Sequence, residues 1–179
     1  VLEGQLAGES DLLVGVLRPA VHRHHTRQAE LLHDADVAAQ VVAALPQRLL
    51  VLDPVLEAAV VGDPMSEVLY GPLISERYLA NHERNLGLIA EHHTVHGSTG
   101  TGRITSANPR AGFVGDPDAG VFAPPTVVAG VRPGDALYDT ETFGPLVGVG
   151  RFSSLDEAIE LANGHGYGLS SSIYTTSPE

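Results

Sequence analysis

The stretch from Leu146 to Thr175 constrains the fold more than any other part of the chain. Leu146 to Phe152 is an apolar run with the length of a buried strand. Ser154 follows, with Glu157 three residues on. That is the spacing of a capping box, in which a hydroxyl and a carboxylate satisfy free N–H groups at a helix start. Leu155, Ala158, Ile159 and Ala162 then recur at three- and four-residue steps, giving one apolar stripe. Asn163-Gly164 predicts a left-handed stop, and Ser170 to Thr175 returns as a strand. Strand, helix and strand with compact connections are the signature of a right-handed parallel crossover. The expected fold class is therefore α/β, a mainly parallel sheet with crossover helices.

Upstream, Gly62-Asp63-Pro64 reads as a turn and Gly71-Pro72 as a second break. Ser75 can cap a helix running from Glu76 to about His93, with Tyr78, Leu79, His82, Leu86, Ile89 and Ala90 on its apolar face. His92, His93 and His96 fall where that helix ends, a place where basic groups complement the helix dipole. Thr94 to His96 then forms a short strand. Gly97 to Gly102 has the glycine content of a phosphate cradle, but such a loop must open into a helix. Pro109, Gly112, Gly115 and Pro117 rule one out, so a surface excursion is expected as far as Gly120, with a strand at Thr126 to Ala129.

Val1 to Val60 is less regular. Leu31, Ala35, Ala38, Val42 and Leu45 share helical spacing, predicting a helix from Arg27 to Leu45 that Pro46 stops. Leu49 to Leu52 reads as a strand closed by Asp53-Pro54. His22, His24, His25 and His33 cluster, which raises the question of a metal. His22 and His24 do not suit a helical i, i+4 pair, and no Cys or close carboxylate completes a ligand set. A solvated polar stretch accounts for them, and no metal ligand is assigned.

Composition excludes several classes of function. The length suits one domain with a proper core. Asp and Glu number 22 against 10 Lys and Arg, a formal net charge of -12, which argues against nucleic-acid or anionic-membrane partners. No apolar run approaches the ~20 residues that span a bilayer. The start at Val1 has no basic leader region, so no signal peptide is expected, and it lacks an initiator Met, as a piece of a longer chain would. There is no Cys, hence no disulfide, thiolate metal site or thiol nucleophile.

Glu141-Thr142-Phe143-Gly144-Pro145 is the candidate site. In an extended chain, residues two apart point to the same side, so Glu141 and Phe143 would present a carboxylate and an aromatic face together. A nucleotide asks for both: an acceptor for a ribose diol and a flat wall for a ring. A solvated Glu beside a core Phe satisfies the same spacing.

The order of pieces favours the first alternative. Gly62-Asp63-Pro64, Gly71-Pro72-Leu73-Ile74-Ser75, Pro125-Thr126-Val127, Glu141 to Pro145, Asp156-Glu157-Ala158-Ile159 with Leu161-Ala162-Asn163, and Tyr167-Gly168-Leu169-Ser170 occur in sequence. Together they resemble the aldehyde dehydrogenase superfamily. The resemblance implies a partial catalytic domain over 61–179. Residues 1–60 are left as a divergent or mis-joined segment, unassigned. Gly4-Gln5 resembles the family's Gly-Gln-x-Cys, with Ala7 where the nucleophilic Cys would stand. A divergent pseudoenzyme, a mis-joined segment and a shifted reading frame all fit that departure.

What the family does is expected of the complete parent. A Cys thiolate adds to an aldehyde, hydride passes to NAD or NADP, and a general-base Glu directs water to release the acid. By position, Glu141 matches the residue holding the nicotinamide ribose and Phe143 the aromatic packed near the nicotinamide. Thr140 replaces a second acid often found there. No catalytic residue is assigned in this chain, which by itself lacks the nucleophile. The expected partner is a small-molecule aldehyde, the complete protein a homo-oligomer, and the location cytoplasmic. The alternative is a non-catalytic binding or assembly module of the same fold.

Overall fold

A computed structural model describes residues 52–97 and 102–167, together with the backbone of 12–16, 40–43 and 172–175. The strands are β1 (Leu12–Val16), β2 (Gln40–Ala43), β3 (Val61–Gly62), β4 (Thr94–Gly97), β5 (Phe113–Val114), β6 (Thr126–Ala129), β7 (Leu146–Gly150) and β8 (Ser172–Thr175). The helices are α1 (Leu52–Ala58), α2 (Glu76–Leu86) and α3 (Leu155–Asn163). Six strands form one sheet in the order β4-β6-β7-β2-β1-β8, and β3 pairs with β5 in a small second sheet.

The α/β expectation holds, and the parallel part lies at the centre. β7 pairs parallel with β6 on one side (Thr126 opposite Leu146) and with β2 on the other (Gln40 opposite Gly148). Its sequence, Leu-Val-Gly-Val-Gly, has no polar position to turn outward, as suits a strand between two parallel neighbours. β4 and β1 run antiparallel to β6 and β2, and β8 runs antiparallel to β1. β8 therefore has the direction of β7, as the crossover through α3 requires. It does not lie beside β7, because β2 and β1 are inserted between them.

That insertion overturns part of the expected helix from Arg27 to Leu45. Gln40–Ala43 is a strand; the rest of that span lies outside the described residues. Val41 and Val42 are β-branched, and pairing with both β7 and β1 outweighs the helical spacing of the apolar positions. The strand expected at Leu49 to Leu52 is also corrected. Leu52 opens α1, and 49–51 are outside the described residues. Asp53 and Pro54 lie in the first turn of α1, where proline loses no helical hydrogen bond. The first His cluster, His22 to His33, is likewise outside the described residues, as are 98–101 of the glycine-rich loop.

α2 is shorter than its apolar spacing suggests. It stops at Gly87, whose N–H reaches the Glu83 carbonyl at 3.2 Å. Leu88 and Ile89 then leave the helix to pack on the core of Val128, Val131, Leu137, Tyr138 and Leu146. Ser75 stands at the N-cap in extended conformation, but its side chain makes no capping hydrogen bond. α3 begins as expected: the Glu157 N–H donates to Ser154 Oγ at 3.2 Å. The return half of the box is displaced by one residue, since the Glu157 carboxylate accepts from the Ser153 N–H at 2.7 Å and from the Ser153 hydroxyl. At its other end no left-handed turn is used, and Gly164 has φ -74. Asn163 Nδ2 instead donates to the Ile159 carbonyl at 2.8 Å, satisfying the free end by side chain. Of the expected stripe, Ala158 is buried while Leu155 and Ile159 stay about half exposed.

The excursion to Gly120 is irregular but tied down. Phe113 and Val114 pair with Val61 and Gly62. Arg103 bridges Glu76 at 2.6 Å and the Gly120 carbonyl at 2.7 Å, and Arg110 binds the Leu56 carbonyl. Val61, Ile104 and Phe122 form a core beneath it. Gly62, at φ +151, is where this layer closes most tightly, since a Cβ there would sit 1.9 Å from the Val114 carbonyl oxygen. Gly62→Ala is expected to destabilise the fold by about 1–3 kcal/mol through overpacking. A urea unfolding midpoint measures it, with Gly166→Ala, whose Cβ meets nothing within 4 Å, as the unchanged control.

Candidate functional site

The segment Glu141 to Pro145 leads into β7 and is held by α2. Thr142 and Gly144 are buried, whereas Glu141 and Phe143 keep part of their surface exposed. The backbone is not uniformly extended as the two-residue alternation assumed. Phe143 has φ +34, and among the described residues it is the non-glycine with positive φ. For a residue with a bulky side chain this conformation costs of order 1–3 kcal/mol and persists only where the surroundings enforce it.

Four contacts enforce it. Asn85, 3% exposed on the inner face of α2, donates through Nδ2 to the Thr142 carbonyl at 2.7 Å. Thr142 Oγ1 donates to the Leu146 carbonyl at 3.0 Å. One turn before Asn85, His82 is 1% exposed and lies against Gly144, where a Cβ would come 3.2 Å from its Nδ1. Burial lowers the pKa of His82, and neither ring nitrogen has a partner among the described residues, so the ring packs as a neutral plate. Finally, Tyr78 meets Phe143 edge to face, centroids 6.5 Å apart at 67°.

Outside this clamp the two aromatic rings border a pocket of about 460 Å³, lined by Arg77, Tyr78, Ala80, Asn81, Arg84 and Phe143. Its size is that of a small-molecule site. It offers aromatic wall, amide and guanidinium on one side of α2. Phe143 is among its lining residues and Glu141 is not.

A second polar cluster lies beyond the end of α2. His92 Nε2 and His93 Nε2 approach the same oxygen, Asp135 Oδ2, at 3.2 and 3.0 Å. The expected role of these histidines at a helix C-terminus is corrected: α2 has ended at Leu86, and they face a carboxylate instead. His96 does likewise, its Nδ1 lying 3.1 Å from Asp53 Oδ2. The ligating atoms of His92, His93 and Asp135 all lie within 4.8 Å of one another, close enough for an ion. The tautomer opposes one. The Ala90 N–H donates to His93 Nδ1 at 3.0 Å, so the proton of the neutral ring is on Nε2, the atom that would have to ligate. The cluster is a hydrogen-bonded clasp between the segment after α2 and the turn 132–135. Burial acts to raise the Asp135 carboxyl, but bonds from His93, the Arg132 N–H and His92 outweigh it and hold the pKa at about 2.

A sequence profile of the aldehyde dehydrogenase family matches residues 36–179. The chain belongs to the aldehyde dehydrogenase family. Aminoacetaldehyde dehydrogenase of Pseudomonas aeruginosa is 52% identical over 65 residues, 36% of this chain and 13% of that protein. The 1-pyrroline-5-carboxylate dehydrogenase of Staphylococcus haemolyticus is 31% identical over 136 residues, covering 72% of this chain and 24% of its own. Succinic semialdehyde dehydrogenase from Streptococcus pyogenes, solved with NADP+, superposes with a TM-score of 0.53 at 31% identity, covering 69% of this chain and 24% of that one. The chain thus spans about a quarter or less of the relatives it matches.

In this aldehyde dehydrogenase family member, Gly4, Gln5 and Ala7 lie outside the described residues. Helical spacing alone had put His82 and Tyr78 on the inner face of α2. Asn85 was missed, although it stands three residues after His82 on that same face. A polar residue at a core position is the signal that could have found it. Arg77, Asn81 and Arg84 were missed because nothing local relates them to Phe143.

Asn85→Leu strands the buried Thr142 carbonyl, and a loss of about 1–3 kcal/mol is expected in denaturant unfolding. Asp135→Asn is checked against pH. Because the folded pKa is depressed, the contribution of Asp135 is complete above the ordinary carboxyl value of 3.8 and fades as pH falls toward about 2. The difference in urea midpoint between the native chain and Asp135→Asn should close over that window; a difference constant with pH would contradict the clasp.

Proposed function

We propose that residues 61–179 are a partial catalytic domain of an NAD- or NADP-dependent aldehyde dehydrogenase, and that Glu141 and Phe143 serve the nicotinamide–ribose end of the cofactor. The observation that carries this is the strained Phe143, clamped by α2 at the border of the 460 Å³ pocket. Backbone strain that a fold over-determines is characteristic of sites where a side chain must be held in one pose.

The residues present fit such a group. The Phe143 ring, steadied by Tyr78, supplies an apolar wall for a planar heterocycle. The Glu141 carboxylate is acceptor-only, the chemistry that a ribose diol asks for. Asn81 adds an amide at the pocket. The cofactor, when bound, takes up hydride from the aldehyde adduct. The role of this chain is to orient the ring and the ribose and to keep water off one ring face. The names of the relatives, an aminoacetaldehyde and a succinic semialdehyde dehydrogenase, favour a small polar aldehyde as the substrate of the complete protein. A homo-oligomeric, cytoplasmic parent accords with the same reading. No helix among the described residues is long and apolar enough to cross a membrane.

A second reading rests on one fact: there is no Cys anywhere in the 179 residues. A chain that keeps the cofactor clamp without a thiol nucleophile would bind a dinucleotide and not acylate. Both readings expect the same outcome for Glu141→Gln. The variant loses an anionic acceptor, and dinucleotide affinity should fall about 10- to 100-fold, with the circular dichroism spectrum unchanged. Unaltered affinity would remove Glu141 from the site. Acyl-enzyme formation from an aldehyde and NAD in the complete parent protein, read by mass spectrometry, separates the two readings.

A further inference from the structure

β7 carries glycine at two of its core-facing positions, and the core is open beside them. Leu146 is fully buried against Val128, Val131, Leu137 and Tyr138. Residues two apart on a strand share a face, so Gly148 and Gly150 point the same way as Leu146. They have no side chain to fill that face, and a cavity of about 320 Å³ lies over them. Val131 and Tyr138 border it from the segment after β6, and Leu161 borders it from α3. The Tyr138 hydroxyl donates to the Leu161 carbonyl at 2.6 Å, which ties these two walls together.

Three charged residues complete the lining: Arg132, Arg151 and Glu157. Arg151 is exposed and makes no hydrogen bond or ion pair among the described residues. The Arg132 guanidinium has one acidic neighbour, Asp135 Oδ1, at 4.0 Å from Nε and beyond hydrogen-bond reach. That carboxylate is already held by His92, His93 and the Arg132 N–H. Glu157 stands one helical turn before Leu161, so both face the cavity from α3. Its Oε2 accepts from the Ser153 hydroxyl and N–H, bonds that hold the carboxyl below its ordinary pKa, and Oε1 is left to accept. Neither guanidinium is ion-paired to Glu157 among the described residues. The cavity thus joins an apolar floor to two uncommitted cations and one anion.

We propose that this cavity binds an apolar α-amino acid, with its carboxylate on Arg132 and Arg151, its ammonium on Glu157 and its side chain over Gly148 and Gly150. None of the lining residues borders the pocket beside Phe143, so the proposal is independent of the reading of Glu141 and Phe143. Size and charge select the ligand. The volume is at the lower end for small-molecule sites, which suits a molecule of few heavy atoms. The guanidinium is a planar fork matched to a carboxylate. A phosphoryl group suits the same arginines but brings a second negative charge toward Glu157 and nothing apolar for the floor. A simple fatty carboxylate leaves Glu157 unanswered, whereas an α-ammonium group beside the carboxylate supplies its donor.

The test is a titration of the full chain followed by NMR, reading the Arg Nε–Hε signals and the Gly148 and Gly150 amides. The probes are leucine, its des-amino analogue isocaproate, its decarboxylated analogue isoamylamine, and glutamate. Leucine should bind about three- to tenfold more tightly than either analogue, the worth of one partly exposed ionic hydrogen bond. In Glu157→Gln, which keeps an acceptor for Ser153, the advantage over isocaproate should vanish and that over isoamylamine should remain. The Arg132→Gln/Arg151→Gln variant should do the reverse. Gly148→Ala puts a Cβ 3.4 Å from Val131 Cγ2, an ordinary contact, and should weaken leucine and both analogues alike by occupying the floor. No saturable leucine binding, equal affinity for leucine and its analogues, or glutamate binding as tightly as leucine overturns the proposal. So does an advantage that survives both sets of charge substitutions, or a leucine affinity that Gly148→Ala leaves unchanged.

Discussion

The amide of Asn85 donating to the Thr142 carbonyl is the contact on which the rest of the site depends. It joins the inner face of α2 to the segment that becomes β7, and β7 is the strand with parallel partners on both sides. A buried carbonyl without a donor is costly, so the helix and the sheet are held in a fixed relation at this point. Gly144 allows the chain to pass over His82, where a Cβ would be crowded by the ring, at a φ of +151 that other residues avoid. The price of that close fit is the positive φ of Phe143.

The same helix is tethered at both ends to parts of the chain far away in sequence. At its start, Glu76 binds Arg103, which also holds the Gly120 carbonyl, so the long excursion is anchored where α2 begins. Past its end, Leu88 and Ile89 enter the core of Val128, Leu137 and Leu146, and His92 and His93 close on Asp135. The pocket beside Phe143 therefore has a rigid floor. Its lining side chains come from one helix face and one clamped loop, the kind of scaffold that holds a ligand in a defined pose.

The chain brings several kinds of side chain together at the pocket beside Phe143. It supplies aromatic walls, an amide and two guanidiniums there, and a carboxylate, Glu141, stands two residues before Phe143 in sequence. It supplies no thiol. Family membership is established over 36–179, while the share of each relative that the chain covers is a quarter or less.

The sequence by itself determined the elements whose signals are local. Strand β6 was expected at Thr126 to Ala129 and lies there; α3 begins at its Ser154 cap; β7 is the continuous apolar run. Each depends on side chains within a few residues of one another, so spacing suffices. The ordered family-like pieces similarly carry the resemblance to the aldehyde dehydrogenase family, because each is a run of neighbouring residues. Tertiary structure decided what depends on distant partners. Gln40–Ala43 is a strand because β7 and β1 flank it, although its spacing also suits a helix. α2 ends early because Leu88 and Ile89 have a core to enter. His92 and His93 meet Asp135 across some forty residues of chain. The pocket joins α2 to Phe143, and the Asn85 bond that braces it spans 57 residues. Local propensity is worth a few tenths of a kcal/mol per residue, whereas a buried hydrogen bond or a strand pairing outweighs it, and only the folded chain shows where those fall.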